Sequence, residues 1–112
     1  MVQHSLNVMY EHFLNNRITI EDIVQKMCHN PAIIFGIKKR GFIRQNYFAD
    51  LVVLDPRKSY RVNKSNILYK CGWSPFEGKK FNSVITNTFV NGNLVYNNGI
   101  IDEKFRGEKI IF

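Results

Sequence analysis

Five side chains in this sequence could ligate a metal: His4, His12, His29, Cys28 and Cys71. None forms a His-x-His, Cys-x-x-Cys or His-x-x-x-His pair, the spacings that bring ligands onto one face of a helix or strand. Cys28 and His29 are adjacent, so on a helix they point about 100° apart. Cys28 falls on an apolar stripe and reads as a core thiol; His29 reads as a residue at a helix end, near free carbonyls. Cys71 sits in a loop beside Gly72 and Trp73, where a reactive role is the minor reading. No Gly-x-Ser-x-Gly, P-loop or Gly-x-Gly-x-x-Gly occurs. Asp50 and Asp55 bracket an apolar run, but their odd offset puts them on opposite faces of a strand, where they cannot share a substrate. Asp55-Pro56 reads as turn chemistry. The residues taken alone therefore supply no catalytic set and no metal site.

Cations and rings give a second chemistry to consider. Arg57, Lys58, Arg61 and Lys64 surround Tyr60, and Lys70, Lys79 and Lys80 surround Trp73, Phe76 and Phe81. Such interleaving can stack bases and neutralise phosphates. The plainer reading makes the rings core and the cations a solvated face, and the absence of an RNP-like aromatic pattern or a uniformly basic helix favours it. The net charge of +7 comes from 16 Lys and Arg spread along the chain, with Lys38-Lys39-Arg40 the one run. AT-rich codons encode Asn, Ile and Lys, which are abundant here, so the charge does not by itself require a polyanionic partner.

The elements that would position these residues change character along the chain. Leu6, Met9, Phe13 and Leu14 form a helical stripe, with Ser5 placed to cap it and Asn15-Asn16 to stop it. Thr19 and Asp22 form a capping-box-like pair before a second stripe, Ile20, Ile23, Val24, Met27 and Cys28. Asn30 as cap, Pro31 at the first helical position and Gly36 as a left-handed stop predict a third, very short helix. The pattern then turns strand-like. Phe42-Ile43 predicts a short strand, and Ala49 to Leu54 a strand covered on both faces. Ser59 to Val62 alternates. Phe81 to Val90 and Asn93 to Tyr96 predict two strands joined at Asn91-Gly92, a type I′ hairpin signal, and Asn98-Gly99 marks another turn. Residues 66–80 have aromatic anchors without a period and predict an ordered loop. Helices followed by strands mean an α+β arrangement.

At 112 residues and 13.2 kDa the chain holds one small domain or a piece of a larger one. Its 45% hydrophobic and 22% charged content is globular. No apolar run reaches the ~18 residues of a membrane span, and Met1 to Ser5 has no signal-peptide pattern. Two cysteines make no disulfide framework, so the expected setting is cytoplasmic and reduced.

Taken together the motifs reach further. Asn30-Pro31-Ala32-Ile33-Ile34-Phe35-Gly36, then Gly41-Phe42-Ile43, then Ala49-Asp50-Leu51-Val52-Val53-Leu54-Asp55 resemble the closing pattern of the amidohydrolase superfamily. One departure is visible: the family's turn before Ala-Asp uses Gly, and here Asn46 and Tyr47 stand in it. Asn tolerates the left-handed conformation such a turn needs. Val2-Gln3-His4-Ser5-Leu6, Lys26 to Ala32, the stretch Asn66 to Gly78 and the hairpin Thr86 to Tyr96 are similar to the dihydroorotase branch in its Bacteroidetes-type form. The stretch Cys71 to Gly78 is the most specific part, and residues 100–112 have no counterpart in the resemblance.

The resemblance implies a fold in two portions: residues 1–36 as closing helices of a (β/α)8 barrel, and 37–112 as part of a small β-sandwich with the ordered loop at 66–80. It implies a whole enzyme that uses zinc to hydrolyse and close the cyclic amide between dihydroorotate and carbamoyl aspartate, in pyrimidine biosynthesis. None of the family's metal ligands and no general base maps onto this chain. The segment alone is expected to bind no metal and to be inactive. Asp50 belongs to the sandwich motif and is no catalytic acid. Gln3 and His4 lie near the family's last active-site loop. They are expected to open the first helix, with a substrate-edge role for His4 as the one candidate contact. The expected partners are the small-molecule substrate of the whole enzyme and either the missing barrel portion or further copies of this chain, reached through exposed apolar faces. Those faces should lie on the two helices and one sheet edge, away from the Cys71–Gly78 loop. Membrane and nucleic acid are not expected partners. The alternatives are a small basic nucleic-acid-binding module and a noncatalytic docking module.

Overall fold

A computed structural model describes residues 2–112. Val2–His4 form one 3-10 turn that runs directly into α1 (Ser5–Leu14). Helical structure therefore begins one turn earlier than expected. Ser5 does not cap it: the Ser5 hydroxyl donates to the Val2 carbonyl at 2.9 Å. Asn15 closes the helix and Asn16 redirects the chain with a φ of 56°. Thr19 caps α2 (Ile20–Val24) through a full capping box. The Asp22 N–H donates to Thr19 Oγ1 at 3.0 Å, and the Thr19 N–H donates to Asp22 Oδ2 at 3.2 Å.

The expected break before Pro31 does not occur. α2 continues through a π-helical segment, Gln25–His29, into α3 (Asn30–Ile34). Asn30 sits at φ −60° and ψ −45°, so it is helical and caps nothing. The physical reason lies in Pro31. A proline lacks an N–H, and in an α-helix its ring clashes with the carbonyl four residues back. Widening the preceding turn to π geometry takes up that misfit. Gly36, at φ 64°, then ends the helix as the sequence predicted.

Phe42-Ile43 is not a strand. The Phe42 ring instead stacks on His29, with centroids 4.3 Å apart and planes 8° from parallel, while Ile43 is exposed. His29 is thus mid-helix and ring-stacked, not at a helix end. Gly41 lets this segment approach the helix. Its φ is +79°, and a Cβ there would lie 2.5 Å from Ala32 Cβ and 2.8 Å from the Cys28 carbonyl oxygen.

The strands are antiparallel throughout. β1 (Leu51–Asp55), β4 (Val84–Val90), β5 (Asn93–Asn97) and β6 (Ile100–Ile101) form one sheet in the order β1-β4-β5-β6. β2 (Tyr60–Arg61) and β3 (Lys80–Phe81) form a second, small one. Leu51 faces Phe89, and the register shifts at Val53/Leu54. Asn91 and Gly92 join β4 to β5 at φ 50° and 81°, the doubly positive turn the dipeptide predicted. Phe81 does not begin β4: it pairs with Tyr60 in the small sheet, and Asn82-Ser83 separate the two strands.

Among the described residues the buried apolar side chains are Ile23, Ala32, Val62 and Phe81. Much apolar surface stays open. Ile33, Ile34 and Phe35 at the end of the helical run are two-thirds exposed or more. β1 is an edge strand, and Leu51, Val52 and Val53 are exposed, so the strand expected to be covered on both faces is not. Cys28, read as a core thiol, is exposed as well. Apolar exposure also reaches the loop expected to be free of it, where Trp73 is 60% exposed. No helix among the described residues is long and apolar enough to cross a membrane.

Candidate functional site

α1 docks by its polar face. His4, Asn7 and Glu11 recur at helical spacing and meet the small sheet and the junction between β3 and β4, while the stripe Leu6, Met9 and Phe13 is only half-buried. Asn7 Nδ2 donates to the Ser83 carbonyl and to Ser83 Oγ, both at 3.0 Å, and both residues are buried. Glu11 Oε1 accepts the Asn82 N–H at 2.6 Å. Gln3 clamps the stretch after β2: its Nε2 donates to the Asn66 carbonyl at 2.7 Å, and its Oε1 accepts the Leu68 N–H at 2.9 Å.

His4 stands at the centre of a ring cluster. Its imidazole lies 5.7 Å from the Phe76 and Phe81 centroids, 6.0 Å from Tyr69 and 6.4 Å from Tyr60. Nδ1 is 3.1 Å from the Tyr60 hydroxyl, and Nε2 has no hydrogen-bond partner among the described residues. Burial holds the His4 imidazole below its ordinary pKa, and the positive amino terminus adds to the effect. Burial likewise pushes the Tyr60 phenol up to about 12, with Tyr96 and Tyr69 contributing. Both rings are therefore neutral near pH 7.

A cavity of about 690 Å³ opens beside this cluster. Gln3, Asn7, Tyr60 and Asn66 line one side, Val84, Val95 and Ile101 the sheet side, and Asp102, Glu103 and Phe105 a third. Amides, a phenol and aliphatic walls can bind and orient a molecule. The lining also holds the carboxylates Asp102 and Glu103 and the hydroxyls of Ser65 and Thr88, and among the described residues neither hydroxyl is hydrogen-bonded to either carboxylate.

The other sequence candidates lie apart from this site. Asp55 accepts the Arg57 N–H at 2.9 Å and Arg57 Nε at 3.2 Å, and these bonds hold its carboxyl below the usual carboxylate range. It is a turn residue, as expected. Asp50 bonds to Arg40 and to the Asn91 N–H. Cys71 Sγ donates to the Trp73 carbonyl. Among the described residues no three His, Cys, Asp or Glu side chains converge. With His4 enclosed by rings and His29 stacked on Phe42, the donor set does not fit a zinc centre.

The basic residues around the rings are exposed, and two of them rest on the fold. Arg61 donates to the Gly78 carbonyl, and Lys79 Nζ lies 5.2 Å from the Phe81 centroid and 5.6 Å from that of Phe76. Tyr60, Phe76 and Phe81 are packed together, and Trp73 alone of the named rings is exposed. Asn7 and Ser83 were not singled out from the sequence. Their signal is the His4, Asn7, Glu11 spacing, a polar stripe that reads as a solvated face until the partner surface is known.

The profile of the Amidohydrolase family matches residues 2–95. The chain belongs to the amidohydrolase family. This amidohydrolase chain is 36% identical to a dihydroorotase of Pyrococcus furiosus over 94 residues, which cover 84% of the chain and 22% of that relative. It is 40% identical, with the same coverage, to a dihydroorotase of Pyrococcus horikoshii. Among solved structures it is similar to the L-hydantoinase (dihydropyrimidinase) from Arthrobacter aurescens. The TM-score is 0.70 at 31% identity, covering 80% of this chain and 20% of that one. The chain thus spans about a fifth of the length of the relatives it matches. The α+β arrangement read from the sequence is the observed one.

Proposed function

We propose that this chain is the closing part of a dihydroorotase-type amidohydrolase, acting on the cyclic amide between dihydroorotate and carbamoyl aspartate in the cytoplasm. In this reading residues 1–36 are helices that pack on the outside of a (β/α)8 barrel. Residues 37–112 belong to its small β-sandwich, with the loop at 66–80. The observation that carries the reading is the match of 94 residues to dihydroorotases at 36% and 40% identity, with the family profile on residues 2–95.

The resemblance implies zinc for the whole enzyme. The residues of this chain do not fit a zinc centre, and no step of hydrolysis is assigned to them. Their work is structural. Gln3 and Asn7 fix the start of α1 against the Asn66–Leu68 stretch and Ser83. Full burial of His4 supports its role in opening the helix over a substrate-edge contact. The open faces on α2–α3 and on β1 are the surfaces for the remaining barrel portion or for further copies of the chain.

A basic binding module is the second reading. The packing of Tyr60, Phe76 and Phe81 against one another, which takes these rings out of base-stacking range, favours the hydrolase reading over it. The test is an assay of the purified chain with dihydroorotate and added zinc, together with metal analysis. No turnover and no stoichiometric zinc are expected; turnover with bound zinc would overturn the assignment of the chemistry to residues outside this chain. A sequence-specific RNA complex that survives physiological salt would promote the binding module instead.

A further inference from the structure

We propose that His4 makes the contact between α1 and the small sheet a pH-sensitive latch, closed when the imidazole is neutral and released when it takes up a second proton. The inference does not rest on the hydrolase reading.

The hydrogen-bond chain around His4 is satisfied by one neutral tautomer. Nδ1–H donates to the Tyr60 oxygen at 3.1 Å, the Tyr60 hydroxyl donates to Asn7 Oδ1 at 3.4 Å, and Asn7 Nδ2 donates onward to Ser83. In that arrangement Nε2 carries only a lone pair, which faces rings and needs no acceptor. Protonation turns it into an N–H with nothing to receive it. A buried charge without a hydrogen-bonded partner is strongly disfavoured.

The charged and titratable groups packed against His4 do not offset that cost. On α1 the one carboxylate, Glu11, is seven residues further along the chain and bonded to Asn82. β2 contributes Tyr60, and the loop before β3 contributes Tyr69, both phenols. Lys79 lies over Phe76 and Phe81, two of the rings that His4 itself packs on, so its charge opposes a second cation there. Among the described residues no carboxylate is a hydrogen-bond or ring partner of His4.

The sign follows from proton linkage. The closed state binds the proton less well than the open state. The latch is therefore fully stable above the ordinary imidazole value of about 6.5. It loosens as pH falls below that value, by up to about tenfold in the closed-to-open ratio per pH unit for one proton. The loss levels off below the depressed value of the closed state.

The experiment is amide hydrogen exchange along Ser5–Leu14 between pH 7.5 and 5, corrected for the intrinsic rate. It compares the wild-type chain, His4→Phe, and a His12→Gln/His29→Gln double variant. Protection in the wild type and the double variant should fall below pH 6.5, by at most about tenfold per unit, and His4→Phe should be flat. A flat wild-type profile, or the same slope in His4→Phe, overturns the proposal. Should His4→Phe not fold, the wild-type His4 ring resonances decide. Protonation that coincides with loss of the α1 signals supports the latch, and protonation with those signals unchanged contradicts it.

Discussion

Asp50 Oδ1 accepts the Asn91 backbone N–H at 2.8 Å, tying the residue before β1 to a hairpin turn 41 positions further along the chain. The other carboxylate oxygen takes the Arg40 guanidinium, which also lies 4.1 Å over the Phe48 ring. One side chain thus holds the turn of β4–β5 and the segment leading into β1 together. Replacing it by Asp50→Ala leaves a turn N–H and a guanidinium without their acceptor. Because the carboxylate is about a third exposed, water softens the loss, and the expected cost is about 1 kcal/mol. Asp50→Asn keeps a neutral acceptor for Asn91 and should cost less. Denaturant midpoints of the two variants check the order, and equal losses would mean that the acceptor for the Asn91 N–H contributes nothing.

Gly41 makes a sharper prediction. In Gly41→Ala the new methyl meets Ala32 Cβ and the Cys28 carbonyl at separations no real Cβ adopts, and the residue keeps a positive φ. The left-handed penalty and the overpacking together should cost about 2–4 kcal/mol. Thermal unfolding should show a large drop in midpoint, accompanied by loss of the Phe42–His29 stack. An unchanged midpoint would mean that the segment 37–48 does not rest on the helix.

Features set by a few neighbouring residues were legible in the sequence. The Thr19–Asp22 box, the Asn91-Gly92 turn and the left-handed Asn46, at φ 64°, each depend on local backbone chemistry and appear as read. Features set by distant contacts were not. Phe42-Ile43 has strand composition, yet the His29 ring, 13 residues earlier in the chain, claims Phe42 for stacking. Phe81 continues an apolar run, yet Tyr60 and His4 draw it into another sheet. The helical stripes were read correctly as apolar, but the face of α1 that docks is the polar one. Hydropathy points to the wrong side of a helix when the apolar side has no partner in the same chain. The motif reading, which depends on combinations of residues, reached the family that local periodicity could not.

The open faces predict association. Each fully buried apolar side chain contributes roughly 1.5–3 kcal/mol, and Ile33, Ile34, Phe35, Val52 and Val53 leave most of that unrealised. The free edge of β1 adds unpaired backbone groups. Phe13 and Met27 are only half-buried, although Ile23 is covered by its own chain. Sedimentation velocity should show concentration-dependent association with bound hydrophobic dye, and Ile34→Lys with Val52→Lys should reduce both. A monomer that leaves the dye dark would show the chain to be a complete domain.

The central claim is that these residues do the structural work of a dihydroorotase-type amidohydrolase. The most direct measurement grafts residues 2–95 in place of the matching stretch of the Pyrococcus horikoshii enzyme. Turnover of dihydroorotate by the graft is compared with that of the same relative lacking the stretch. The account predicts turnover by the graft and none by the deletion. A graft that folds and binds zinc but is no more active than the deletion would contradict it.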